Sequence, residues 1–236
     1  MNSEQNEQFS NYSLPENFSG IVRLFPLPNL VLFPGIVQSL HIFEPRYRKM
    51  MEDALAGDQT IAMTMIRNTD SNMADSKTGK QPQIHSVICI GKIVAHTQLE
   101  DGRFNLLLQG VARARIVREL AVEQPYRMAE VEILDEVPID SQSKESISSL
   151  RQEIAACCKR FQATAPEMAE EIPTDLPIDL LVDLVCYLLP QLTSEQRQEL
   201  LETPGVFQRG RLLLKFANAD SEPPRKVDFP PPFSSN

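Results

Sequence analysis

The sequence predicts an α+β protein: a strand-rich first part closed as a barrel or sandwich, then a small α-helical bundle. Three observations predict it. Apolar residues alternate with period two from Gly20 to about Pro138. From Ser141 the period changes to 3.6. Between short strand candidates lie frequent turn signals, of which Asp101-Gly102 is the strongest.

The elements follow in order. Ile21 to Phe25 and Val37 to Ile42 are short strand candidates. Glu44-Pro45-Arg46-Tyr47 opens a helix, since proline is tolerated in a first turn. Its stripe is Tyr47, Met50, Met51, Ala54 and Leu55, and Gly57 suits the C′ position. Ile61, Met63 and Met65 alternate with Ala62, Thr64 and Ile66, a strand with two apolar faces. Asn68 to Ser86 is polar, a long loop that reads as disordered or as a flap. Val87 to Gln98 is a strand, and the Asp101-Gly102 pair predicts a type I′ hairpin returning through Phe104, Leu106 and Leu108. Ala112, Ala114 and Ile116 mark the next strand, and Tyr126 to Leu134 closes the set. Ile147, Leu150, Ile154, Cys157, Cys158 and Phe161 form one stripe, giving a long helix over 141–163. Leu176 to Leu189 is a second helix ended by Pro190; Thr193 to Gln196 has capping-box spacing for a third; Thr203-Pro204 starts a fourth.

This divides the chain into a flexible tail over 1–18, a strand domain over 19–138, a helical domain over 139–218 and a proline-rich tail over 219–236. In the last, Phe229 and Phe233 flank Pro230-Pro231-Pro232. The net charge of −9 spreads over all four parts as −3, −1, −4 and −1, so no part is basic. Phosphate neutralisation drives much of nucleic-acid binding, so nucleic acid and anionic membranes are disfavoured partners. No stretch has the roughly 18–20 apolar residues of a membrane span, and the first residues do not resemble a secretory signal. Four Cys, two of them adjacent, do not form a disulfide framework, and a reducing cytoplasm is the expected location.

Few residues invite chemistry. His85 and Cys89 share a strand face, but His96 points the other way unless a bulge at Gly91 corrects it, and a fourth ligand is wanting; no metal is expected. Ser141 to Lys144 matches S-x-x-K at a helix start, where Ser is ordinarily a cap. Cys157 and Cys158 diverge by about 100° on a helix and read as core, as does Cys186. No cofactor is expected.

The run Leu24-Phe25-Pro26-Leu27-Pro28-Asn29-Leu30-Val31-Leu32-Phe33-Pro34-Gly35, followed by Leu40-His41-Ile42-Phe43-Glu44-Pro45-Arg46-Tyr47, resembles the N-terminal domain of the Lon protease family. The resemblance continues at Gly91 to Ala95, Asp101 to Gly110, Tyr126 to Val131, Asp179 to Leu189 and Gln198 to Leu214, and covers about Gly20–Ala217. It implies a PUA-like β-barrel followed by a helical bundle, a unit that in full-length proteases helps capture substrate proteins ahead of an ATPase and a peptidase. The sequence holds no G-x-x-x-x-G-K-[ST] loop, and neither an ATPase nor a Ser–Lys peptidase domain is expected with it. The expectation is a stand-alone, non-enzymatic module that binds unfolded or extended polypeptide segments, with an ATP-dependent protease or chaperone as companion. Its oligomeric state stays open.

The expected peptide contacts are Leu32, Phe33, Pro34 and Phe43 from the signature loops, near a concave junction of barrel and bundle, with Glu44, Arg46 and Tyr47 as an edge. The competing reading gives Glu44 to the helix N-terminus and pairs Arg46 with a barrel carboxylate or carbonyl. Met50, Met51, Met63 and Met65 suit an adaptable surface but default to core. Two alternatives stand beside polypeptide binding. PUA-like barrels include RNA binders, and Arg103, Arg113, Arg115 and Arg118 sketch a basic patch. A hydrolase with an unrecognised site is the other.

Overall fold

Alternating apolar residues form six strands among the described residues: β1 Ile21–Leu27, β2 Val37–Ile42, β3 Thr60–Met65, β4 Val87–Gln98, β5 Phe104–Leu120 and β6 Met128–Ile133. The 3.6-period stripes form helices α1 Pro45–Leu55, α2 Lys144–Thr164, α3 Ile178–Leu188, α4 Ser194–Glu202 and α5 Val206–Asn218. The computed structural model describes residues 13–16, 18–67, 81–136, 144–164, 172–173 and 175–218.

The sheet is mixed. β1 runs parallel to β3, with β2 and α1 in the connection, and every other pairing is antiparallel. Pairings β1–β3, β3–β4, β4–β5, β5–β6 and β6–β1 form a closed circuit, and β2 lies outside it on the first half of β5. Each strand of the circuit gives residues to one apolar cluster: Val22 and Leu24, Ala62, Ile88 and Ile90, Val111 and Ala114, Ala129 and Val131. A larger cluster covers the other face and is continuous from Phe25, Phe33 and Met50 through Met63 and Leu108 to Leu150, Leu181 and Leu213 of the helices. β3 gives Ile61, Met63 and Met65 to the larger cluster and Ala62 to the smaller, and its six residues are all buried, with Thr60 and Thr64 as the polar members of the second face.

Several local expectations are corrected. The return strand and the one after it are a single 17-residue strand, β5, running through Gly110. Gly110 has no Cβ to strike the Phe33 carbonyl, so the 33–36 segment lies against it, with Gly35 N–H donating to Gly110 O (2.9 Å) and Gly110 N–H to Ile36 O (2.8 Å). The hairpin between β4 and β5 is not type I′. Gly102 alone has positive φ (79°), Gly102 N–H donates to Leu99 O, and the Asp101 carboxylate accepts from Arg103 N–H. This is a type I turn ended by a left-handed glycine, which needs one positive φ rather than two. After α1 the left-handed residue is Gln59 (φ 57°) rather than Gly57, and its N–H caps the Ala54 carbonyl. The polar 68–86 loop ends early: Ile84 bridges Ile66 and His85 N–H donates to Met65 O, while 68–80 lie outside the described residues. Leu14 and Phe18, assigned to the N-terminal tail by polarity, pack against the smaller cluster.

The helices form as their stripes predict. α1 buries Tyr47, Met50, Met51 and Ala54 against the strands. Thr193 and Gln196 form the reciprocal capping box of α4, at 3.1 and 2.8 Å. α5 packs on α2, α3 and α4, and α4 rests on β4. Among the described residues no helix is long and apolar enough to cross a membrane.

Candidate binding cleft at the strand–helix junction

A concave site of about 420 Å³ opens where the 33–36 segment, β5 and the chain after β6 meet α3. Pro34, Val111, Leu134 and Leu180 form its apolar walls; Arg113, Asp135, Glu136, Asp179 and Asp183 bring charge to it. Gly110 seats the 33–36 segment on β5 and so sets Pro34 at the edge.

The floor is a buried ion cluster. Arg113 projects from β5, and its Nη2 donates to both carboxylate oxygens of Asp183 on α3, at 2.7 and 2.8 Å. Arg113 Nη1 donates to Glu136 Oε1 (2.5 Å) and Nε to the Leu201 carbonyl (3.2 Å). Arg209 of α5 completes the group. Its Nη2 donates to Glu136 Oε1 (2.9 Å) and its Nη1 to the Thr203 carbonyl (2.6 Å). Arg209 Nε lies 2.8 Å from Asp183 Oδ1, an ion-pair contact outside hydrogen-bond alignment. The side chains of Arg113, Asp183 and Arg209 are 1, 3 and 0 % exposed, whereas Glu136 at 36 % reaches water. Burial works against the charge on Arg113, but Asp183 and then Glu136 overcome it and hold the guanidinium above its ordinary pKa. Burial pushes the Glu136 carboxyl up, against the pull of Arg209 and Arg113. Two guanidinium and two carboxylate groups balance, so one cluster ties β5, α3 and α5 together.

The residues singled out in the sequence separate on the structure. Leu32 and Phe33 are core side chains, closed to any ligand in this conformation, and they act by carrying Pro34 to the cleft. Phe43, Glu44 and Arg46 do not line the cleft. Phe43 is 40 % exposed at the start of α1 and stacks on His41 with centroids 6.2 Å apart. Glu44 occupies the N-cap without a side-chain capping bond and pairs instead with Arg46. Arg46 meets no strand carboxylate or carbonyl in its hydrogen bond or ion pair to Glu44; its guanidinium lies 4.5 Å from the Tyr47 ring centroid. The Tyr47 ring is buried edge-on to Phe25 at 4.7 Å, and burial raises its hydroxyl pKa. Met50, Met51, Met63 and Met65 are core.

The other candidates change too. The basic patch loses Arg113 to the buried cluster; Arg103 and Arg118 pair with Asp101 and Glu130, because each sits beside an acid on its own hairpin or neighbouring strand. His85 lies between Glu195 (3.5 Å) and Glu202 (3.2 Å) of α4, Cys89 is fully buried with its thiol pushed up to about 12 by desolvation, and His96 is exposed. Among the described residues no three such side chains converge as metal ligands. Cys157, Cys158 and Cys186 are buried, and burial raises the Cys158 thiol to about 11. Ser141 of the S-x-x-K match, Phe229 and Phe233 lie outside the described residues.

Asp183, Arg209 and Glu136 are marked by no motif of the sequence. One signal was present: Asp179 and Asp183 are the only charges in the eleven residues of α3, and Asp183 sits among residues of the buried stripe.

Residues 21–219 match the model of the ATP-dependent protease La (LON) substrate-binding domain. Lon protease of Cytophaga hutchinsonii is 24 % identical over 211 residues, 87 % of this chain and 25 % of that protein. Lon protease of Aquifex aeolicus is 26 % identical over 212 residues, 87 % and 26 % respectively. The chain thus spans about a quarter of the length of the curated relatives it matches. In fold it is similar to the N-terminal domain of Mycobacterium avium complex Lon protease, with TM-score 0.62, 20 % identity and coverage of 85 % of this chain and 99 % of that one. It is also similar to a Lon N-terminal domain protein from Xanthomonas campestris, at TM-score 0.56 and 20 % identity, covering 83 % and 97 %. A match running from the first strand to the end of the last helix, across the whole circuit and the cleft, places this chain in the Lon substrate-binding domain family.

Proposed function

We propose that this chain is a non-catalytic recognition module that binds unfolded or extended polypeptide segments and serves an ATP-dependent protease or chaperone as an adaptor. The observation that carries the reading is the match of residues 21–219 to a substrate-binding domain. The cleft supports it: its walls are apolar and concave, it lies at a junction between two kinds of packing, and Pro34 of the family-like signature forms one edge. We read the strand circuit as a PUA-like barrel whose helices supply the second wall. Pro34 is the signature residue placed to touch a segment, while Phe43, Glu44 and Arg46 form a separate lip at the start of α1. Disordered segments lose entropy on binding, so affinity is modest.

The test compares a denatured model protein with its native form as ligands of the purified chain. Binding of the denatured form alone is expected. Equal and negligible signals for both overturn the reading.

A further inference from the structure

The cleft is apolar in its walls and acidic at its rim. Its lining carries Asp135, Glu136, Asp179 and Asp183 against Arg113 alone. Arg209 behind the floor offsets one more carboxylate. Arg151, whose Nη1 donates to the Leu176 carbonyl at 2.7 Å, offsets another from outside the lining. Four carboxylates against three cations leave a net charge of −1, and the carboxylates outside the ion cluster are Asp135 and Asp179, both exposed.

We infer that the cleft selects polypeptide segments in which a lysine or arginine adjoins an apolar side chain. The inference rests on the proposed polypeptide-binding function and names the segment chemistry. The apolar side chain packs between Pro34 and Leu180, removing hydrocarbon from water. The cation stays at the rim beside Asp135 and Asp179, where it keeps part of its hydration and avoids the desolvation penalty of a buried charge. An acidic segment meets a net negative rim at the same place. The volume of about 420 Å³ suits one anchor rather than a folded partner.

The experiment titrates the full chain with three labelled short peptides of identical apolar content, flanked by lysine and arginine, by glutamine, or by glutamate. A denatured model protein is the fourth ligand. The basic peptide is expected to bind about tenfold tighter than the neutral one at low salt, the acidic one more weakly than either, with the gap closing as salt rises. D135N/D179N should bring the basic peptide to the neutral one's affinity for the same variant. A control with the same change in net charge, E52Q/E100Q, should keep the gap. Thermal melts confirm that both variants fold. The inference falls if basic and neutral peptides bind alike, if the gap survives D135N/D179N, or if the control abolishes it as well. It also falls if the denatured protein binds and no peptide does. Failure of all four ligands overturns the proposed function itself, which separates the two outcomes.

Discussion

Inside the circuit of strands, Leu24, Ile88, Ile90 and Ala114 pack in an apolar cluster supplied by five strands. At the junction, Arg113 and Arg209 are equally removed from water, yet they meet Asp183 and Glu136. The first region is held by non-directional burial, which tolerates hydrocarbon of similar volume. The second depends on a few directional contacts whose members cannot be removed singly. The comparison teaches that strands and helices are joined by an element with a required geometry: Asp183 must face both guanidinium groups, so α3 and α5 are fixed relative to β5. That geometry also sets the cleft wall, because Leu180 lies one turn before Asp183 on α3.

The largest expected effect breaks the junction. Asp183→Leu leaves two buried guanidinium groups without their shared carboxylate and should cost about 3–5 kcal/mol in urea unfolding. The triple replacement R113M/D183L/R209M removes the charges together and should recover most of that loss, since well-packed hydrocarbon often replaces a buried ion network without penalty. Glu136, half in water, can then be solvated. A triple variant as unstable as Asp183→Leu would mean that the cluster contributes net stability and not only geometry.

The circuit interior supplies the opposite case. Leu24→Ala removes a fully buried side chain with no polar partner to strand. It should cost about 3 kcal/mol, from lost transfer energy plus the cavity left behind. Leu24→Met, of similar volume, should cost under about 1.5 kcal/mol. A Met variant as damaging as Ala would show that the interior is as exacting as the junction and would erase the contrast.

How far the sequence reveals this contrast depends on which interactions are local. The α1 stripe, the α4 capping box and the Ile61-Met63-Met65 face of β3 are periodic or short-range, and each is legible from spacing. The unbroken course of β5 through Gly110 is not, because nothing local shows the Phe33 carbonyl lying over that glycine. Arg113 illustrates the harder failure. An arginine among alanines on a strand looks solvated, and its partners lie 23 and 70 residues away on elements whose packing no local pattern encodes. Of the cleft, Pro34 was legible through its motif. Leu32 and Phe33 are buried, because an apolar signature marks core as readily as it marks contact.

The smallest expected effect lies between these extremes, where a polar pair sits at the boundary of the strand region. Tyr126 donates to Asp53 Oδ2 at 2.7 Å, and Lys49 holds the other oxygen at 2.6 Å. Burial pushes Asp53 up, but the hydrogen bonds from Lys49 and Tyr126 prevail and hold it below its ordinary value. Burial, then the bond to Asp53, raises the Tyr126 hydroxyl from 10.0 to about 12. A folded-state pKa above the unfolded one gives stability that is complete below about 10 and is lost as pH rises toward about 12. Tyr126→Phe should therefore cost about 1 kcal/mol at neutral pH, and that difference from the parent protein should shrink as pH climbs through the same window. Unfolding curves at neutral and alkaline pH, with phenolate absorbance recorded on the folded protein, measure both quantities. Because the Asp53 carboxylate is partly exposed, water can take the place of the lost hydroxyl, and Tyr126→Phe should stay well below Asp183→Leu in cost. A Tyr126→Phe penalty as large as that of the junction, or one that does not change with pH, would place this pair with the buried ions and shift the boundary drawn between the two regions.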